Sequence, residues 1–207
     1  MTRRGRFISL EGGEGVGKST QVHALAAALR ERGLKVVTTR EPGGSEGGEA
    51  IRSLLLQGEQ DRWGSRAEAL LFAAARADHV DKLILPAMEA GRWVLSDRFV
   101  DSSLAYQGGA GGLGIAQVRG INAFGIEDVF PDRTLVLLHP TGAARALARD
   151  DGSSDRIGGR PAEYHRSVEE AFRTIAEQEP DRVRLTDASG TEEQVTERLL
   201  RAIEDLL

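Results

Sequence analysis

Cysteine is absent from the sequence, which excludes disulfides and thiolate metal sites and suits a cytoplasmic protein. Lysine is scarce. The 27 basic residues include only three lysines, Lys18, Lys35 and Lys82, so arginine carries most of the positive charge. Positive charge is not in excess either. The formal net charge of −5 leaves no global basic field of the kind nucleic-acid binders present, although a local basic site stays open. Long apolar runs are missing too. None approaches the roughly 18 residues of a membrane-spanning helix. Arg3, Arg4 and Arg6 are not followed by the apolar stretch of a secretory signal before Glu11. His23, His79, His139 and His165 show no metal-ligand spacing among themselves and read as structural or surface residues. What remains is a chain with 40% hydrophobic and 29% charged residues, ordinary globular values, at a length that favours one domain over residues 1–207.

One of the three lysines falls in the most informative stretch. FISLEGGEGVGKST, from Phe7 to Thr20, reads as a short apolar strand, a glycine-rich loop and the first turn of a helix. Gly12, Gly17, Lys18 and Ser19 fit G-x-x-x-x-G-K-[ST], the phosphate-binding loop. Backbone N–H groups from Gly12, Gly13, Glu14, Gly15, Val16 and Gly17 through Lys18, Ser19 and Thr20 can cradle phosphate oxygens, helped by the positive end of the helix dipole. Lys18 can reach the β- and γ-phosphates of a nucleotide such as ATP. The Ser19 hydroxyl can ligate Mg²⁺, a hard cation that prefers oxygen. The plainer alternative is a glycine-rich strand-to-helix turn, which requires no lysine at the motif position.

Helical periodicity continues from Lys18 to about Arg32, Gly33 stops it, and Lys35 to Thr39 reads as the second strand. A strand–helix–strand unit implies a parallel sheet with a right-handed crossover, whose ligands bind beyond the carboxyl ends of the strands. Arg40 and Glu41, followed by a helix with Glu49 and Arg52, therefore stand where a ligand would be; composition alone leaves a solvated turn open. Residues 65–89 read as one long helix, broken near Pro86, with Phe72 and Arg76 on one face. That pair suits a nucleobase, or else a core ring beside a surface charge. Arg92 to Ser96 reads as the third strand, with Asp97 and Arg98 at its carboxyl end, where an acid can serve a metal and a guanidinium a phosphate. Ser102, Ser103, Tyr106 and Gln107 offer hydrogen bonds ahead of the flexible-looking glycines 108–112. Helices over 114–125, 141–149, 161–178 and 191–206 and strands over 134–138 and 182–185 complete the reading, which is an α/β fold of about five parallel strands flanked by helices. The polar segment 150–160 suggests a small mobile lid over about 149–161 with Arg149, Arg156 and Arg160, or simply a solvated loop.

Four stretches in order, FISLEGGEGVGKSTQ, TREPGG with EAIR, LLFAAARADHV and SDRFVDSSLAYQG, closely resemble the bacterial thymidylate kinases, and the likeness runs nearly end to end. The resemblance implies a P-loop NTPase-type fold, a cytoplasmic homodimer, and transfer of the γ-phosphoryl of ATP to dTMP with Mg²⁺. It places Arg145 beside adenine and Lys18, Asp97, Arg98, Arg149 and Arg156 in catalysis, with Ser19 and Asp97 at the metal. Glu14, Arg40, Glu41, Arg52 and Arg98 fall around the acceptor's sugar and phosphate. Phe72 stacks on thymine, Arg76, Ser102, Ser103 and Gln107 address the acceptor, and Tyr106 lies against the deoxyribose. In this chain Phe99 stands where the family usually has Tyr or His. A GTPase-type switch would need an Asn-Lys-x-Asp motif, and no Asn precedes Lys35 or Lys82.

Overall fold

A computed structural model describes residues 4–59, 61–140 and 156–207. Its centre is a five-stranded sheet: β1 (Phe7–Gly12), β2 (Val36–Arg40), β3 (Trp93–Asp97), β4 (Arg133–Leu138) and β5 (Val183–Asp187), in the spatial order β2-β3-β1-β4-β5. All four strand pairings are parallel, as crossover helices require. The register sets Asp97 beside both Leu10 and Arg40, and Gly12 beside Leu137.

Both faces of the sheet are covered, and the side-chain alternation of period two sorts the core into two layers. Ile8, Leu10, Leu95, Leu135 and Leu137 point to one face, where they meet Val22, Leu25 and Leu29 of α1 (Lys18–Glu31) and Leu199 of the last long helix (Glu192–Ala202). Phe7, Val94 and Val136 point to the other and pack on Val80, Ile84, Leu104, Val168 and Phe172. The last helix begins at Thr191 with a reciprocal capping box to Gln194. Val195, Leu199 and Ile203 are core as expected, whereas Leu206 is only half-buried in a terminal 3₁₀ turn.

Two stretches depart from the sequence expectation. The long helix is not broken at Pro86. After α2 (Glu46–Leu56), it runs as α3 (Ser65–His79), a π-helical turn (Val80–Ile84) and α4 (Leu85–Glu89), so the proline enters at the start of a fresh helical turn where its missing N–H matters least. The glycines after Gln107 divide: Gly108 and Gly109 are helical, and Gly111 and Gly112 form the turn that follows. Helix α5 (Val100–Ser103) continues as a π-helix through Ala110. Gly109 is there for close approach, because a Cβ on it would lie 2.5 Å from Ala171 of the helix Ala162–Gln178 packed against it. The expected helix over 141–149 lies outside the described residues.

Candidate active site

Three chain segments leave the carboxyl edge of neighbouring strands and meet there. The first is the glycine loop. Gly12 has φ 130°, and a Cβ on it would come within 2.4 Å of the Leu137 carbonyl, so only glycine fits. Gly17, at φ 92°, starts α1 with no side-chain cap, which leaves the first-turn N–H groups open to an anion. Lys18 lies across the loop and donates from Nζ to the carbonyls of Gly13 (2.6 Å) and Gly12 (3.2 Å). Burial, then the nearby Arg98 guanidinium, brings its ammonium down to about 8. An anion in the loop supplies the countercharge that favours the protonated lysine.

The second segment follows β3. Ser19 Oγ donates to Asp97 Oδ2 at 2.5 Å, which brings two hard oxygens from different elements to one point and fits Mg²⁺. Among the described residues no three acidic or histidine side chains cluster, so a cation here would complete its shell from phosphate oxygens and water. Arg98 has φ 72°, a left-handed conformation that costs a non-glycine residue about 1–2 kcal/mol. It is held there by its N–H to the Leu10 carbonyl (2.9 Å) and by Ser96 Oγ on its own carbonyl (2.6 Å). The strained backbone turns the guanidinium inward. It donates to Glu14 (2.5 Å), Tyr106 Oη (3.2 Å), Ser102 Oγ (3.1 Å) and the Gly12 carbonyl (3.1 Å), and it stacks over the Tyr106 ring. Arg98 holds the Glu14 carboxyl down at about 2, so Glu14 is an anion there and not a proton acceptor at neutral pH.

The third segment follows β2 and faces α3. Arg76 is 2% exposed and spends four of its five N–H groups on protein: Glu41 (2.7 Å), Ser103 Oγ (3.0 Å), Asn122 and the Phe99 carbonyl (3.1 Å). Glu41 also accepts from His79 Nδ1, and the other ring nitrogen of His79 pairs with Thr39. His79 is thus a buried orienting residue, as a structural histidine should be. Phe99, the unusual aromatic, is fully buried edge-on against Phe7 and lies under the Arg76 guanidinium. Arg40 pairs with Glu49 at the surface, and Arg52 donates to the Pro42 carbonyl (2.7 Å).

These segments enclose one cavity of about 410 Å³. Its walls hold Glu14, Gly15, Gly17, Lys18, Ser19, Thr20, Arg40, Glu41, Arg52, Phe72, Arg76, Asp97, Arg98, Ser102, Ser103, Tyr106 and Gln107. Gly12, Gly13 and Val16 belong to the loop behind the wall. Arg145 and Arg149 lie outside the described residues. Arg156 does not line the cavity. Its side chain is fully buried, paired with Glu68 at 2.5 Å and bonded to the Leu55 carbonyl, and Arg160 joins the same carboxylate. The described end of the expected mobile segment is therefore packed, with Ile157 against the core and on the cavity wall. Sequence reasoning also passed over Glu11, which is fully buried and accepts from the Phe99 N–H and Ser102 Oγ, and over Asn122 and Leu56. Glu68 alone had a visible signal, since it precedes Phe72 and Arg76 at helical spacing on one face.

A phosphate loop, a hydroxyl–carboxylate pair and a row of arginines opposite an aromatic ring form a site for moving a phosphoryl group between nucleotides. Comparison with known proteins agrees. The thymidylate kinase family model matches residues 10–199. The chain is 60% identical over 205 residues to the thymidylate kinase of Rhizorhabdus wittichii, covering 98% of this chain and 99% of that one. It is 48% identical over 204 residues to that of Rhodopseudomonas palustris strain TIE-1, covering 97% and 89%. The crystal structure of thymidylate kinase from Ehrlichia chaffeensis superimposes with a TM-score of 0.77 at 31% identity, over 97% of this chain and 99% of that one. With the loop, the acid, the arginines and the aromatic wall in one cavity and these likenesses spanning nearly the whole sequence, the chain belongs to the thymidylate kinase family.

Proposed function

We propose that the protein transfers the γ-phosphoryl group of ATP to dTMP with Mg²⁺, and that residues 1–207 do this as one P-loop kinase domain. The observation that carries the reading is the shared cavity, in which Lys18 and the Ser19–Asp97 pair face Arg40, Arg52 and Arg98 and the Phe72–Arg76 wall. The glycine loop and Lys18 hold the ATP phosphates, and Ser19 and Asp97 hold Mg²⁺. The three arginines take the acceptor phosphate. Phe72 stacks on thymine, and the remaining Arg76 N–H donates to its 4-carbonyl. Ser102, Ser103 and Gln107 complete the polar contacts, and Glu14 and Tyr106 line the sugar. A phosphate acceptor is already a nucleophile, so the work is positioning and charge neutralisation. Arg145 and Arg149 keep the donor-side roles that the resemblance implies. Arg156 is reassigned to holding Glu68, because its buried pairing supports a structural role.

Two exposed apolar side chains, Leu70 on α3 (57%) and Phe124 (94%) on the adjoining helix Ile115–Ile126, support a homodimer paired through this helical face. Among the described residues no helix is long and apolar enough to cross a membrane, and the reading places the protein in the cytoplasm.

The test is ADP release from Mg²⁺-ATP with dTMP, dUMP, dCMP, dGMP, AMP or no acceptor. Turnover should be selective for dTMP. Preference for another monophosphate would overturn the Phe72–Arg76–Tyr106 assignment, and hydrolysis indifferent to every acceptor would overturn transfer itself.

A further inference from the structure

Glu68 sits in the first turn of α3, is 2% exposed and does not line the cavity. A buried carboxylate is costly unless its charge is met, and here two guanidiniums meet it. Arg156 donates to Oε2 at 2.5 Å, and Arg160 donates to Oε1 at 3.0 Å and Oε2 at 2.8 Å. A third donor is Gln107, whose Nε2 lies 3.0 Å from Oε1. Gln107 itself is 4% exposed and lines the cavity.

The two ends of a glutamine amide are nearly identical in shape and opposite in hydrogen bonding. A carboxylate with two guanidiniums on it only accepts. It therefore takes the nitrogen end of Gln107 and leaves Oε1 as the atom Gln107 can turn to a ligand. We infer that Glu68 is a positioning residue that fixes the polarity of the Gln107 amide, so that the cavity presents an acceptor there and selects a base carrying a ring N–H. Thymine has an N–H at ring position 3; cytosine has a lone pair at that place. This rests on the reading of the cavity as the dTMP site and adds what sets the direction of one of its contacts. Arg76 discriminates separately at the neighbouring 4-position, so Glu68 controls only part of the preference.

The experiment compares kcat/KM for dTMP and dCMP in the wild type, E68Q, E68D, Q107M and the double variant E68Q/Q107M. In E68Q an amide faces Gln107, either orientation of Gln107 is then satisfied, and the dTMP-to-dCMP ratio falls by about tenfold. E68D, which still only accepts, keeps most of the ratio. Adding E68Q to Q107M changes the ratio no further, because the group being oriented is gone. An unchanged ratio in E68Q, or an equal drop from E68Q in both backgrounds, overturns the inference. If Q107M leaves both the KM for dTMP and the ratio at wild-type values, the dTMP reading of this wall fails instead. E68Q leaves two arginines against a neutral partner and can fail to fold, so a second measurement uses the unaltered protein. With side-chain ¹⁵N-labelled glutamine, the Gln107 NH₂ signals, identified by their loss in Q107M, should exchange slowly with water both with and without dTMP. Rapid exchange in the free protein would put the nitrogen in the open cavity and refute the orientation.

Discussion

Replacing Glu11 with glutamine should abolish a pH dependence of stability that the wild type carries. Glu11 is the penultimate residue of β1, fully buried. Burial, and then the Asp101 carboxylate, pushes its carboxyl up to about 8, against the hydrogen bonds from Ser102 and Phe99 and the charge of Arg98. The folded state thus holds a proton that the unfolded chain, at the ordinary carboxyl value of 4.5, has already released. Stability rooted in this group is complete below 4.5 and is lost as pH rises through about 8. The slope is one proton, about 1.4 kcal/mol per pH unit, so the ceiling over the window is about 5 kcal/mol. Glutamine, like the protonated acid, carries no charge and keeps an acceptor for the Phe99 N–H. Urea unfolding at pH 5 to 9, followed by the fluorescence of buried Trp93, gives both stability curves. Their difference should tilt in favour of Glu11→Gln by roughly 1 kcal/mol per pH unit up to about pH 8 and then level. Only the slope is read, so a constant offset from altered packing is immaterial. Parallel curves would mean that the wild-type carboxylate is ionised in place and that the buried-acid argument is wrong.

Other consequences are open to direct measurement. Arg76→Ala strips the main partner from buried Glu41 and should cost about 3–5 kcal/mol in unfolding free energy while raising the KM for dTMP and sparing that for ATP. Arg76→Lys should rescue little, because an ammonium cannot reproduce the fork; equal effects on both KM values would refute the base-edge role. Arg182 grips fully buried Asp101 through two nitrogens, at 2.7 and 2.8 Å. Arg182→Ala should therefore lower stability by about 3–5 kcal/mol in a denaturant titration yet leave kcat near wild type at low temperature, and an unchanged midpoint would contradict it. Phe124→Glu should convert the proposed homodimer to a monomer in sedimentation; a dimer that persists would exclude this helical face.

The sheet and loop were legible because their signals are local. Apolar runs of strand length, a helix stopped at Gly33 and a motif with fixed spacing each need only neighbouring residues to read. The cavity wall was legible by a longer route, through residues at strand ends and through the Phe72–Arg76 spacing. What escaped depends on partners distant in sequence. Arg156 looks like a loop cation until Glu68, 88 positions away, takes it into the interior. Glu68 looks like an ordinary helical charge until Gln107 and Arg160 converge on it. Gly108 and Gly109 look like slack, and their helical state becomes intelligible only once Ala171 presses on Gly109. Composition carries no trace of such pairings.

The strand order has a consequence for what the chain can become. The glycine loop leaves β1, Arg40 leaves β2, and β3 with Asp97 lies between them in register with both. The span from the glycine loop to Arg40 is therefore two interstrand steps, about 10 Å, set by backbone hydrogen bonding and not by any side chain. Such a gauge comes only in whole strands. Point substitution cannot lengthen it to admit a bulkier acceptor, so divergence toward new acceptors is confined to the segments that hang from its ends, after Arg40 and after Arg98.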